Sequence, residues 1–137
     1  MEFVNKNKNY KTSDHLIYSC QYHVIFCPKY RRKIFKPPYD AILKEKFLRI
    51  AKEYDFEILE MEVMPDHIHL IIDCNPRFGI TECVTKLKWI SAHEMRREYP
   101  EFKRKLPTLW TRNVFISTAG DVSLESVKKY VEDQKNK

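Results

Sequence analysis

His67 and His69 stand two residues apart in the string Met64-Pro65-Asp66-His67-Ile68-His69-Leu70. In an extended strand that spacing sends both imidazoles to one face, while Ile68, Leu70 and Ile72 point to the other. Two neutral ring nitrogens side by side suit a single divalent metal ion. A chain with five histidines also produces such a pair by chance, so the spacing alone leaves a merely solvated pair open. The clean apolar face opposite the pair is what favours the metal reading.

A second pair, Tyr130 and Gln134, lies four residues apart in a C-terminal segment with helical periodicity and therefore shares one helix face. Leu124, Val127 and Val131 form a separate apolar stripe, expected to dock the helix while Tyr130 and Gln134 remain available. A tyrosine hydroxyl, with an ordinary pKa of about 10, is a poor nucleophile at neutral pH, and a nearby cation favours its ionised form. Glutamine offers an uncharged carbonyl oxygen that a hard ion such as Mg²⁺ or Mn²⁺ accepts. Helical spacing alone equally describes a rim aromatic and a solvated amide.

These residues need a scaffold, and the hydrophobic pattern outlines one. After a polar arm over residues 1–14, His15 to Cys27 alternates, with Tyr18, Cys20, Tyr22, Val24 and Phe26 on one side, as in a half-buried strand. Pro28 through Lys33 is basic and turn-like, and Pro37-Pro38 delays a helix until about Tyr39. From Asp40, a candidate N-cap, Ile42, Leu43, Phe47, Ile50 and Ala51 recur at helical spacing as far as Tyr54. Phe56 to Met64 alternates with Leu59, Met61 and Val63 on one side, Pro65-Asp66 turns the chain, and His67 to Asp73 alternates again. Ile80, Val84, Leu87, Ile90 and Ala92 mark a second helix to about Arg97. A basic connection bracketed by Pro100 and Pro107 leads to a strand over Leu109 to Thr118, and a last helix starts near Ser123 within residues 122–136. The order implies one domain over 1–137 of the α+β class: a ferredoxin-like (RRM-like) βαββαβ antiparallel sheet with helices on one face and an added C-terminal helix. Its open face is where a site belongs.

The bulk properties agree. In 137 residues, 43% hydrophobic and 13% aromatic content suffices for one core. Twenty-five Lys and Arg against nineteen Asp and Glu give +6, an excess that sits on the surface and favours a polyanionic partner. The first fifteen residues contain no apolar run that could serve as a signal sequence, and no stretch reaches the roughly 20 apolar residues of a membrane span. A cytoplasmic protein without membrane contact is expected. Cys20, Cys27, Cys74 and Cys83 fit no zinc or disulfide spacing and read as core or near-core residues.

The histidine string resembles the His-hydrophobic-His core of the HUH nucleases. It follows Tyr22-His23-Val24-Ile25-Phe26 and Lys29-Tyr30-Arg31-Arg32, in the places where single-tyrosine transposases of the insertion sequence 200/605 family carry similar strings. The match continues through Leu109-Trp110, Phe115-Ile116-Ser117-Thr118 and Gly120 to Tyr130 and Gln134, over nearly the whole chain; Thr111 to Val114 is its loosest part. The resemblance implies a DNA transposase that cuts and rejoins single-stranded DNA at element ends bearing hairpins. It makes Tyr130 the nucleophile that forms a 5′-phosphotyrosine link, and His67, His69 and Gln134 the ligands of Mg²⁺ (or Mn²⁺). It also implies a homodimer whose C-terminal helix crosses to the partner about a hinge at Gly120; the sequence itself leaves closure within one chain equally open. DNA contacts are expected from Lys29, Tyr30, Arg31, Arg32 and Lys33 beside the site, and from Lys86, Lys88 and Arg104 along the surface, with Tyr30 or Phe78 stacking on an unpaired base.

Three other readings fit parts of the pattern. A metal-independent RNA endonuclease would use the histidines for acid–base chemistry. A non-enzymatic single-strand binder would stack bases on Tyr22 or Phe26. A domesticated relative acting on chromosomal repeat hairpins would share the transposase chemistry.

Overall fold

The computed structural model describes residues 11–119 and 124–137. Lys11–Ser13 (β1) and Leu16–Tyr18 (β2) pair as a small hairpin turned by Asp14 and His15, both with positive φ, the backbone a two-residue hairpin turn requires. Lys11–Ser13, expected within a polar arm, is thus a strand. The expected strand over His15 to Cys27 is divided: Cys74 N–H donates to Cys20 O where the chain passes from the hairpin into the main sheet at Gln21–Phe26 (β3).

The main sheet adds Glu57–Met64 (β4), His67–Asp73 (β5) and Phe115–Thr118 (β6) in the order β4-β5-β3-β6, antiparallel throughout. Two long helices, Tyr39–Glu53 (α1) and Ile80–Glu98 (α2), complete the βαββαβ plan. This is the ferredoxin-like arrangement the periodicity implied. Val24, Phe26, Ile68, Leu70 and Ile72 go to the helix side with Leu43, Phe47, Ile50 and Leu87, all fully buried. Each such side chain contributes about 1.5–3 kcal/mol on burial.

Four local departures have physical causes. Asp40 does not cap α1; Pro38 holds that position, and Asp40 Oδ1 accepts from Ala41 N–H instead. A register shift between Ile58 and Glu60 turns Leu59 outward, 40% exposed, and packs Ile58 against the core in its place. The basic connection contains a short helix, Pro100–Lys105 (α3), with Pro100 at its first position, where a missing N–H costs nothing. The strand expected over Leu109 to Thr118 is confined to its last four residues. Pro28 ends the ladder on the β3 side, Trp110 makes an isolated bridge to it, and the buried Lys88 ammonium satisfies Thr111 O and Asn113 O in place of a neighbouring strand.

Trp110 anchors that segment. Its ring packs edge-on to Phe26 at 4.7 Å and stacks on Phe35 at 5.2 Å, and its Nε1–H donates to Ser91 Oγ at 3.1 Å. The chain then ends in Leu124–Asp133 (α4) and a 3₁₀ turn, Gln134–Asn136. Gly120, the expected hinge, lies outside the described residues, as do the side chains of Leu124 and Val127. Among the described residues, no helix is long and apolar enough to cross a membrane.

Candidate active site on the open sheet face

The register assembles the open face row by row. Glu62, His69, Ile25 and Phe115 lie opposite one another across all four strands, and Glu60, Ile71, His23 and Ser117 form the next row. Directly paired residues point to the same face. His67 and His69 are therefore on the open face, both half-buried, with Ile68 and Leu70 fully buried behind them.

Each histidine has a neighbour that orients it. The two-residue turn Pro65-Asp66 brings the Asp66 carboxylate to His67, whose Nδ1–H donates to Oδ1 at 2.9 Å. Holding Nδ1 in this way fixes the tautomer and leaves Nε2 as the lone-pair nitrogen. His69 Nε2 is 3.0 Å from Nδ1 of His23 on β3, and the rings stack. Burial, followed by His23, holds the His69 pKa below the usual imidazole range, which favours the neutral, metal-binding form. A depression of about 300 Å³ beside His69 is lined by Glu60 and Glu62, which make this part of the face attractive to cations.

The C-terminal helix lies over the other end of the same row. The Tyr130 ring sits 5.5 Å from Phe115, so two strand spacings, about 10 Å, separate that ring's support from His69. Helix docking differs from expectation. Tyr130 and Gln134 were expected to remain available, but the structure turns them inward: Gln134 is 2% exposed, and Tyr130 Oη and Gln134 Oε1 are both buried without a hydrogen-bond partner. Burial pushes the Tyr130 phenol well above its ordinary range, so this hydroxyl is protonated until a cation or base reaches it. A buried carbonyl oxygen with no donor is costly, about 1–3 kcal/mol, and marks an acceptor held ready for something else.

Arg31 joins the two halves. Its Nε–H donates to Asp66 Oδ2 at 3.0 Å and its Nη1–H to Val131 O at 3.1 Å, so one guanidinium touches both the turn that orients His67 and the helix that carries Tyr130. Tyr30 and Arg31 both have positive φ, a strained conformation of about 1–3 kcal/mol per residue. Tyr30 N–H, donating to Lys137 O, helps to hold it.

The other expected DNA contacts separate. Lys29 and Tyr30 lie together, the ammonium 5.1 Å from the ring centroid, and Arg32, Lys33 and Arg104 are exposed. Lys86 packs over Tyr54 instead, beside which Phe78 stacks. Lys88 turns inward to carbonyls, and burial lowers its pKa to about 8. Tyr22 and Phe26, the stacking platform of the binding-module reading, belong to the core side, with Phe26 fully buried. The roles of His23 and Glu62 depend on strand register and that of Asp66 on the geometry of the turn before His67, so the sequence reading assigned none of them. The signals were the Pro-Asp turn immediately before His67 and the alternating Glu60 and Glu62.

Residues 16–134 match the family model described as transposase IS200 like. The ISDra2 transposase TnpA of Deinococcus radiodurans is 36% identical over 123 residues, 88% of each chain. The transposase for insertion sequence element IS200 of Salmonella typhimurium is 25% identical over 126 residues, 90% of this chain and 82% of that protein. A crystal structure of a protein assigned as a transposase in Deinococcus radiodurans R1 superposes with a TM-score of 0.83 at 28% identity, covering 90% of this chain and 97% of that one. A REP-associated tyrosine transposase bound to a REP hairpin superposes at 0.56 with 14% identity, covering 88% and 69%, a likeness of fold alone.

Fold and family together define a DNA-cleaving and strand-transferring enzyme, a transposase. The chain belongs to the IS200-like family, the tyrosine transposases of insertion sequences 200 and 605. This sets aside the RNA endonuclease and binding-module readings.

Proposed function

We propose that the chain cuts and rejoins single-stranded DNA at insertion-sequence ends through Tyr130, with a divalent ion, Mg²⁺ or Mn²⁺, held by His67, His69 and Gln134. The observation that carries this reading is the pair of buried, unpartnered oxygens at the C-terminal end, Tyr130 Oη on α4 and Gln134 Oε1 on the 3₁₀ turn that follows it, with the Tyr130 ring against Phe115 in the His69 row of the open face. A third donor of suitable kind is the Gln134 carbonyl oxygen, which is buried and has no hydrogen-bond partner.

The phenolate of Tyr130 attacks the scissile phosphorus. A phosphorus–oxygen bond forms to Oη, the bond to the 3′ oxygen breaks, and a 3′-hydroxyl leaves while the 5′ phosphate stays on the protein. Attack of a 3′-hydroxyl on that phosphotyrosine reverses the step and joins strands, conserving the bond energy without ATP. The ion, when bound, polarises the scissile phosphate and stabilises the charge that develops there. Asp66 keeps His67 in one tautomer, and Arg31 keeps the Tyr130 helix and the histidine hairpin in fixed relation.

The substrate in this reading is a single strand bearing a hairpin, and the enzyme acts as a homodimer; within one chain α4 lies against its own Arg31 and Phe115, and an exchange of α4 would hand those contacts to the partner. A related fold bound to a REP hairpin supports the hairpin. A mixed dimer of a Tyr130→Phe chain with a chain lacking His67 and His69 tests the exchange. Activity of the mixture requires one intact composite site assembled in trans.

A labelled single-stranded hairpin from the flanking DNA, run on a denaturing gel after reaction in Mg²⁺ or EDTA, tests the chemistry. A covalent adduct that needs metal and disappears in Tyr130→Phe supports it. Free cleaved ends unaffected by that substitution would remove Tyr130 from the reaction.

A further inference from the structure

Between α2, the Lys29-Tyr30 turn and the segment around Trp110, the chain leaves an open groove of about 590 Å³. Lys29 and Tyr30 form one wall, Trp89 of α2 another, and Pro107, Trp110 and Arg112 the third. Trp89 is 69% exposed and Tyr30 44%, an unusual display of large aromatic rings on a surface. Neither ring is loosely placed. Trp89 lies nearly parallel to His93 one helical turn on, at 6.0 Å and 9°, and Tyr30 is fixed by its strained backbone and the Lys29 ammonium above its ring. Lys88, half-buried in the lining, turns its amine to Thr111 O and so supports the wall.

Charge and position narrow the occupant. Lys29 and Arg112 are cationic, and no Asp or Glu lines the groove among the described residues. One wall adjoins the candidate active site through the chain: Tyr30 immediately precedes Arg31, the residue that touches both the His67 turn and the Tyr130 helix. Exposed rings interleaved with cations suit a strand whose base faces are free and whose backbone is anionic. Duplex DNA offers the charge but keeps its base faces covered.

We propose that this groove binds an unpaired stretch of the DNA substrate, with bases stacking on Trp89 and Tyr30 and phosphates paired with Lys29 and Arg112. The inference rests on the preceding reading that single-stranded DNA is the substrate, and it adds a stacking site outside the reacting centre. Stacking is tolerant of sequence, so the groove grips flanking strand without selecting its bases.

Tryptophan fluorescence tests it on the full chain with oligothymidylate as probe. Trp110 also lines the groove but is only 6% exposed, so Trp89 is expected to carry most of any quenching. Oligothymidylate should quench the wild-type emission, Trp89→Phe should remove most of the quenching while keeping most of the affinity, and Trp89→Ala should weaken binding by about 5- to 150-fold. Absence of quenching, unchanged affinity in Trp89→Ala, or equal quenching by a duplex would overturn the proposal. So would a change in Trp89 emission with protein concentration alone, which would give the groove to a second copy of the chain. Adduct formation by wild type is measured in parallel. Quenching without an adduct sinks the phosphotyrosine chemistry and keeps the groove; an adduct without quenching does the reverse.

Discussion

His23 Nδ1 lies 3.0 Å from His69 Nε2, although His23 faces Ile71 in the ladder and Ile25 is the residue opposite His69. The contact is diagonal across two strands, and it holds the His69 ring by stacking as well as by a hydrogen bond, with centroids 5.2 Å apart. An orienting partner of a metal-binding imidazole typically changes metal affinity by about 10- to 100-fold when removed. His23→Phe, which keeps a ring but no nitrogen, should therefore weaken Mn²⁺ binding by that order in a calorimetric titration. Unchanged affinity would make His23 a packing residue only.

The same environment gives stability a pH dependence. The His69 pKa is held below its ordinary value of about 6.5, so just below that pH the unfolded chain binds a proton that the folded chain refuses. Stability contributed by this group rises with pH through the window and is lost on acidification. Urea midpoints measured from about pH 5 to 7 should climb with pH, and His69→Gln should flatten that part of the slope. An equal slope in the variant would assign the dependence to other groups.

Tyr130→Phe should separate chemistry from folding. The hydroxyl is buried without a partner, so its removal relieves a desolvation cost and should leave the protein as stable as wild type or more stable by up to about 2 kcal/mol. Loss of the adduct together with an unchanged or raised melting temperature is the expected pair of results. A clear drop in melting temperature would show that the oxygen has a partner after all.

Arg31→Ala should act at two places at once. It removes donors to Asp66 and to Val131 O, at a cost of about 1.5–3 kcal/mol for charged hydrogen bonds, and it frees the helix that carries Tyr130. Hydrogen exchange should speed up in α4 and in the Pro65-Asp66 turn together. Faster exchange in only one of them would mean that the guanidinium does not couple the two.

Ser91→Ala leaves Trp110 Nε1–H buried without its acceptor and should cost about 1–3 kcal/mol in chemical denaturation. Because Trp110 is packed among Phe26, Phe35 and Phe47, the loss should appear as global destabilisation rather than local loosening.

Much of this was legible in the chain as written. A period of two carries its own geometry, so His67-Ile68-His69 fixed which side chains share a face before any partner strand was known. Helical spacing located α1 and α2 to within a residue or two of their observed ends, whereas the last helix stops at Asp133 and leaves Gln134 in the 3₁₀ turn after it. These are local properties, set by residue spacing and backbone sterics.

Register and docking are long-range, and only the folded chain decided them. Whether Leu59 points inward depends on one residue of slippage against β5, and whether His69 meets His23 depends on how β3 aligns with it. The side chain of Lys88, reaching two carbonyls far along the sequence, ended a strand that its residues' own propensities favoured. Tyr130 and Gln134 were identified by type and spacing, but their burial came from the surface against which α4 lies. A helix face has no inside until something packs on it.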